Sequence, residues 1–173
     1  GRIDEAIEQY REAVRMQPNH VNAHYSLGTA LHTKGDLVAA IVEYRTVIRL
    51  QPAHVGTHIN LGIALQSTGD VKDAIAEYQK LIKEDPTDLP LVNTLGDLYV
   101  RLGNIPEAVR CFTRLAESYD NGGFVVRAIA MYKKVSKIDS GQIQSLSRLA
   151  DLYLRQGLNS DARAHYLQVA DYL

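Results

Sequence analysis

Histidines occur in two pairs with i, i+4 spacing, His20 with His24 and His54 with His58. On a helix, both rings of such a pair share one face and are spaced to bind Zn²⁺ or Cu²⁺. Zinc in a structural site takes four ligands, and no cysteine or clustered carboxylate completes either pair. Because the second pair repeats the first at i, i+34, duplication of one segment accounts for their recurrence. We therefore expect no metal site and no bound cofactor.

Cys111 is the only cysteine and the only candidate for thiol chemistry. An activated cysteine needs a neighbouring base or an electropositive setting, and His165 is the only histidine in the later part of the chain. The sequence contains no hydrolase elbow, dinucleotide fingerprint or phosphate loop. We therefore expect a protein without enzymatic activity, in which Cys111 is a structural thiol. A single cysteine forms no internal disulfide and mildly favours a reducing compartment such as the cytoplasm.

Glycines mark a period in the chain. The first four members of the series recur at i, i+34: Gly1, Gly35, Gly69 and Gly103. Gly123 and Gly157 keep this spacing, but Gly123 follows Gly103 at i+20, so a segment the size of one helix with its turn is missing from the series. A fixed period of this length is typical of stacked helical pairs. We expect a single solenoid over residues 1–173, with 1–103 in regular register and 104–173 after the phase slip.

Each period contains two helical patterns. The first places residues of one helix face at i, i+3, i+4 and i+7, as in His24, Leu27, Gly28 and Leu31, of which the last three are apolar or small. The second pairs an alanine with an aromatic residue four positions later: Ala6/Tyr10, Ala40/Tyr44, Ala74/Tyr78, Ala108/Phe112, Ala128/Tyr132 and Ala162/Tyr166. A glycine inside the first helix is tolerated where two helices approach closely, so we expect tight contacts at Gly28, Gly62 and Gly96.

These patterns predict an all-α, right-handed solenoid of antiparallel helix pairs with about ten helices. The predicted ranges are 3–16, 20–33, 37–50, 54–67, 71–84, 88–101, 105–119, 124–137, 143–155 and 159–172. The helix at 105–119 satisfies both patterns. We expect it either to serve as second helix of one pair and first helix of the next, or to remain an ordinary outer helix beside a pair with an adjusted angle.

The repeated residues resemble the tetratricopeptide repeat (TPR) family, and about six copies cover the whole chain. Members of this family are typically superhelical scaffolds that bind peptides or proteins in a concave groove lined by the first helices. The resemblance implies these groove residues: Asn22, Tyr25, Thr29, His32, Ile59, Asn60, Ile63, Gln66, Asn93, Asp97 and Val100. The chaperone-binding subgroup uses Lys, Arg and Asn there to bind a terminal carboxylate. This chain has no Lys or Arg at those positions, so we expect a different peptide or protein ligand.

Composition excludes several other partners. The chain is 46% hydrophobic with a net charge of −1, which is typical of a folded protein rather than a disordered one. Neither half is basic enough for nucleic-acid binding driven by phosphate contacts. No apolar run approaches the ~18 residues that predict a membrane span. We expect a protein or peptide ligand, no nucleic acid and no membrane span.

The terminal helices suggest an alternative function, because solenoids need capped ends to remain monomeric. The first helix lacks a preceding partner and the last lacks a polar capping helix. The residues expected at these assembly ends are Ile3, Ile7, Tyr10, Tyr166, Val169 and Leu173. Under this alternative the chain is a structural subunit that associates head to tail into a filament or oligomer. A third alternative is that the chain is the regulatory arm of a larger enzyme such as a glycosyltransferase.

Overall fold

The computed structural model describes residues 1–172, and within that range the chain forms ten α-helices and no strand. Their bounds are α1 Arg2–Met16, α2 Val21–Lys34, α3 Leu37–Leu50, α4 Val55–Thr68, α5 Val71–Glu84, α6 Leu89–Leu102, α7 Ile105–Asn121, α8 Val125–Ile138, α9 Ile143–Arg155 and α10 Asn159–Ala170. The predicted all-α fold of stacked helix pairs is confirmed, and predicted helix ends lie close to these bounds throughout.

The helices form two compact units. Unit 1 spans Gly1–Pro86 and contains α1 to α5, and unit 2 spans Thr87–Leu173 and contains α6 to α10. Within each unit every helix packs against the one that follows it in the chain. Within residues 1–172 no helix combines the length and apolar character needed to cross a membrane.

Five of the six periodic glycines lie where helices end, whereas Gly1 is the N-cap of α1. Gly35, Gly69 and Gly103 are the C-caps of α2, α4 and α6, and Gly123 and Gly157 follow α7 and α9. All five have positive φ, between 73° and 92°. Glycine adopts this left-handed conformation without the steric cost that a Cβ imposes. The period therefore reflects a backbone requirement at the turn within each helix pair.

A second glycine in each period allows close packing of a ring. At Gly62 on α4, a Cβ would lie 2.4 Å from Cε1 of the Tyr78 ring on α5. Real Cβ atoms do not approach so closely, so the ring occupies the space that a side chain would need. The same arrangement joins Gly28 to Tyr44 at 2.8 Å and Gly96 to Phe112 at 2.7 Å. The expected tight contacts at these three glycines are confirmed.

The aromatic series forms the core except at its two ends. Tyr44, Tyr78, Phe112 and Tyr132 are all buried. Burying a ring against the small residue of a neighbouring helix removes a large apolar area from water. At the ends of the series Tyr10 is half-buried and Tyr166 is 37% exposed.

Helix α7 packs in two directions within unit 2. Its Phe112 ring contacts Gly96 of α6. One turn later, Ala116 belongs to a core cluster with Ala128 and Tyr132 of α8, and with Leu149 of α9. The contact with Gly96 is typical of a second helix in the repeat. The contact with α8 and α9 places Ala116 where the earlier repeats have the glycine of a first helix.

Candidate functional site

A polar contact joins α2 to α4 in unit 1. The Asn60 side-chain amide donates from Nδ2 to the Tyr25 hydroxyl over 3.2 Å. The Tyr25 ring lies 4.9 Å from the His54 ring and 6.4 Å from the Tyr44 ring, measured between centroids. We call the surface formed by the predicted groove residues of these two helices the α2–α4 surface: Asn22, Tyr25, Thr29, His32, Ile59, Asn60, Ile63 and Gln66.

Both apolar and polar groups of the α2–α4 surface are accessible. Ile59 and Ile63 are 40% and 42% exposed, which is high for side chains of this size. The Thr29 hydroxyl donates to the Tyr25 carbonyl oxygen over 2.9 Å. His32 lies edge-on to the Tyr44 ring, with 6.3 Å between centroids. Burial raises the pKa of the Tyr44 phenol, so its hydroxyl remains protonated at neutral pH.

The predicted groove residues of α6 meet a lysine that sequence reasoning missed. Lys134 of α8 donates from Nζ to Asp97 Oδ1 over 2.8 Å and to Asn93 Oδ1 over 3.4 Å. The same ammonium group lies 4.4 Å from the centroid of the Phe112 ring. The groove positions themselves contain no Lys or Arg, but Lys134 reaches them from a helix that the repeat pattern assigns to the outer set. Its charge is paired with Asp97 and is not free for a terminal carboxylate.

Unit 2 contains a cavity of about 490 Å³ that was not predicted from the sequence. We call it the α7–α9 cavity, and its lining residues are Thr113, Glu117, Tyr132, Gln142, Gln144, Ser145, Ser147, Arg148 and Asp151. The spacing of the repeat could have predicted several of these lining residues. Thr113 and Glu117 follow the groove positions Asn93 and Asp97 at i+20, and Ser147 and Asp151 follow Thr113 and Glu117 at i+34.

His20 and His54 cap helices. Nδ1 of His20 accepts a hydrogen bond from the Ala23 backbone N–H, and Nδ1 of His54 accepts one from the Thr57 backbone N–H, each over 3.1 Å. These bonds satisfy backbone donors that the first turn of a helix otherwise leaves unpaired.

His24 and His58 each join two other segments. His58 contacts Glu77 Oε2 through Nδ1 over 2.6 Å and the Pro52 carbonyl through Nε2 over 2.7 Å. His24 repeats this with Glu43 and Pro18 at 2.6 and 2.9 Å. Both nitrogens of each ring thus have an oxygen partner, so each ring is held on two sides. Within residues 1–172 no group of three or more His, Cys, Asp or Glu side chains is arranged to hold a metal ion.

Cys111 is half-buried on α7. Burial, followed by the nearby Glu107 carboxylate, raises the pKa of the thiol to about 11. The thiolate is the nucleophilic form of cysteine, so Cys111 is almost entirely an unreactive thiol at neutral pH.

The residues expected at the assembly ends differ in accessibility. Ile7 is only 2% exposed and belongs to the core, because α1 packs against α2 along this face. Ile3, Tyr10 and Val169 are half-buried. The expectation for Leu173 lies outside the described residues. The exposed apolar side chains near the end of the described chain are Leu154, Leu158, Tyr166, Leu167 and Tyr172.

Known proteins with the same fold were found among solved structures. A crystal structure of MamA matches with 21% identity over 98% of this chain and 88% of that one, at a TM-score of 0.56. A tetratricopeptide repeat protein from Parabacteroides merdae matches with 20% identity over 98% of this chain and 73% of that one, at a TM-score of 0.62. YrrB is described as a TPR protein with an unusual peptide-binding site. It matches with 16% identity over 96% of this chain and 93% of that one, at a TM-score of 0.55. No curated protein matches by sequence.

Family models cover most of the chain. A TPR repeat model matches residues 1–35, and a tetratricopeptide repeat model matches residues 31–92 and 65–122. The second model alone therefore spans more than half of the sequence. Its matches include the glycine turns at Gly35, Gly69 and Gly103, and the contacts of Gly62 with Tyr78 and of Gly96 with Phe112. The chain belongs to the tetratricopeptide repeat family.

Proposed function

We propose that this protein is a non-enzymatic protein–protein interaction module that binds an extended peptide on the α2–α4 surface. The observation that carries the proposal is the Asn60–Tyr25 hydrogen bond between the two helices. It fixes an aromatic ring and an amide beside two exposed isoleucines, Ile59 and Ile63. The surface thus offers apolar contact area and polar groups side by side.

The chemistry of the surface matches a peptide backbone. An amide side chain offers both donors and an acceptor, which are the groups that a main-chain amide needs. Tyr25 provides a rigid ring that loses little conformational entropy on binding. The residues of the α2–α4 surface include no Lys, Arg, Asp or Glu, so the proposed ligand segment is uncharged where it touches them. YrrB, which shares the fold, is described as having a peptide-binding site. This supports a peptide as the class of ligand.

Replacing both Tyr25 and Asn60 by alanine is expected to weaken peptide binding at least about tenfold, since central aromatic anchors dominate interface energies. An array of random-sequence peptides identifies binders of the wild-type protein, and fluorescence anisotropy then gives their dissociation constants. Circular dichroism checks that the variant keeps its helicity. Val42→Ala, an exposed change on α3, is the matched control. Equal affinity for wild type and the double variant, with loss on changing α3, would place the site elsewhere.

Association through α10 is a second candidate function, favoured by its exposed apolar side chains. Leu158, Leu167 and Tyr172 lie about half exposed at this end, and water disfavours such apolar area. A head-to-tail contact with another copy would be heterologous and would produce open filaments unless its rotation closed a ring.

Light scattering over a concentration series tests this second candidate. If it is correct, the wild-type mass increases with concentration, and Leu158→Glu with Leu167→Glu returns the protein to a monomer without loss of helicity. Arg163→Glu, a charge change on the same helix, controls for net charge. A wild-type protein that remains monomeric at every concentration contradicts head-to-tail assembly.

A further inference from the structure

The α7–α9 cavity has two nearly buried hydroxyl groups in its wall. Tyr132 is 2% and Ser145 is 5% exposed, and both line the cavity. Neither side chain forms a hydrogen bond within residues 1–172. Because no fully buried side-chain oxygen in that range lacks a partner, both hydroxyl oxygens must be accessible, and the cavity is the space that they line. An accessible hydroxyl on an otherwise buried side chain can donate to or accept from a ligand that enters the cavity, so these two hydroxyls are available to a polar ligand.

Two opposite charges face the same cavity without being paired. Glu117 comes from α7 and Arg148 from α9. Neither forms an ion pair or a side-chain hydrogen bond among the described residues. Asp151, the third charged residue of the wall, accepts a hydrogen bond from the Tyr166 hydroxyl. The wall therefore offers an unpaired carboxylate and an unpaired guanidinium to a ligand.

Both unpaired charges act on Tyr132. Burial raises the pKa of the Tyr132 phenol, Glu117 raises it further, and Arg148 opposes that effect. The phenol therefore remains a hydrogen-bond donor at neutral pH. This places a buried donor within the electrostatic reach of both charged side chains.

The double role of α7 explains why the cavity lies here. Ala116 of α7 and Ala150 of α9 are both fully buried at the position where earlier first helices carry glycine. On this register Glu117 of α7 and Asp151 of α9 occupy the groove positions that Ile63 of α4 occupies in unit 1. The groove position that is uncharged in unit 1 therefore carries a carboxylate in unit 2, at Asp97 of α6 as well as at Glu117 and Asp151.

We propose that the α7–α9 cavity is a second peptide-binding site, which selects a segment carrying one basic and one acidic side chain. Glu117 binds the basic side chain, Arg148 binds the carboxylate, and the hydroxyls of Tyr132 and Ser145 bond to the peptide backbone. The inference rests on the proposed function in one respect, that this chain binds peptides. This inference differs from the proposed function in the binding site and in the charge of the ligand.

The cavity is large enough for one peptide segment, and its charge favours a peptide over a polyanion. Its volume of about 490 Å³ lies within the range of small-ligand pockets. The wall has two carboxylates, Glu117 and Asp151, against one guanidinium, so a polyanion such as a nucleic acid would be repelled. Bidentate binding of a carboxylate suits the planar guanidinium of Arg148.

The test uses arrayed peptides of Ala and Ser that carry one Lys and one Glu at varied spacing. Matched arrays carry only Lys, only Glu or no charge. We expect the wild-type protein to bind the best Lys-and-Glu peptide about tenfold or more tightly than its uncharged counterpart. Glu117→Gln is expected to remove the gain in affinity that the Lys of the peptide provides. Arg148→Gln is expected to remove the gain that the Glu of the peptide provides. Glu107→Gln, a carboxylate change on α7 outside the cavity, is the matched control.

A charge reversal gives a second readout that does not depend on loss of binding. Glu117→Lys should shift the preference towards peptides that carry Glu and no Lys, with helicity unchanged. If affinity for charged peptides is unaffected by Glu117 and Arg148 but falls on changing Tyr25 and Asn60, this inference is wrong and the α2–α4 proposal is retained. The opposite pattern supports this site, and the α2–α4 proposal is then decided by its own test with uncharged peptides. No binding to any of these Ala and Ser arrays contradicts this inference, and absence of binding to the random-sequence array contradicts the α2–α4 proposal.

Discussion

Tyr44→Ala is expected to lower the free energy of unfolding by about 3–5 kcal/mol, the usual cost of removing a fully buried ring. The Tyr44 side chain is 0% exposed, and its ring fills the space above Gly28 that no Cβ can share. Because Gly28 cannot supply atoms to refill the cavity, relaxation recovers little of this cost. Repeats depend on their nearest neighbours, so the loss should extend to α4, which packs against α3.

Urea denaturation followed by circular dichroism measures this change. Tyr44→Phe is the matched control, since it keeps the ring and removes only a hydroxyl that lies 3.5 Å from His32 Nδ1. It is expected to cost about 1 kcal/mol or less. A denaturation midpoint for Tyr44→Ala equal to that of Tyr44→Phe would show that the ring does not stabilise the α2–α3 contact.

Glu77→Ala is expected to lower the free energy of unfolding by about 1–3 kcal/mol, because it leaves a buried hydrogen-bonding group unpaired. Glu77 Oε2 lies 2.6 Å from His58 Nδ1, and the His58 side chain is almost completely buried. The His58 contact with the Pro52 carbonyl remains, so the variant tests the carboxylate alone.

A double-mutant cycle separates this pair from general effects of substitution. His58→Ala combined with Glu77→Ala should destabilise by less than the sum of the single changes, with a coupling of about 0.5–3 kcal/mol. Lys80→Ala is the control, since Lys80 pairs with Glu77 Oε1 at an exposed site and should cost about 1 kcal/mol or less. Additive single changes would mean that His58 and Glu77 do not stabilise the fold as a pair.

Sequence reasoning was strongest where local backbone and packing requirements repeat. Gly35 and Gly69 recur because their turns need positive φ, and Gly62 recurs because the Tyr78 ring lies against it. Such requirements are the same in every repeat, so the period alone predicts them. The two possible roles of α7 were also visible, because Phe112 and Ala116 fit the two patterns in one helix.

Sequence reasoning was weakest where residues from different repeats meet. Lys134 contacts Asp97 across 37 positions of the chain, and the 34-residue period does not predict a contact at that separation. The α7–α9 cavity was missed because the groove register was not extended across the shortened step from Gly103 to Gly123. The recurrence of the histidine pairs was attributed to duplication, and the sequence did not show the structural partner that each ring has, such as Glu77 for His58. Ile7 was expected at an exposed end because the pattern does not show that α2 covers it.

Chemical-shift mapping tests the central claim, peptide binding on the α2–α4 surface, most directly. Amide ¹H–¹⁵N spectra of the wild-type protein are recorded while the tightest uncharged array peptide is added. The proposal predicts saturable shifts on α2 and α4, centred on Tyr25, Ile59 and Asn60, that disappear in the Tyr25→Ala, Asn60→Ala variant. Shifts confined to α3 and α5, or unchanged in that variant, would contradict it.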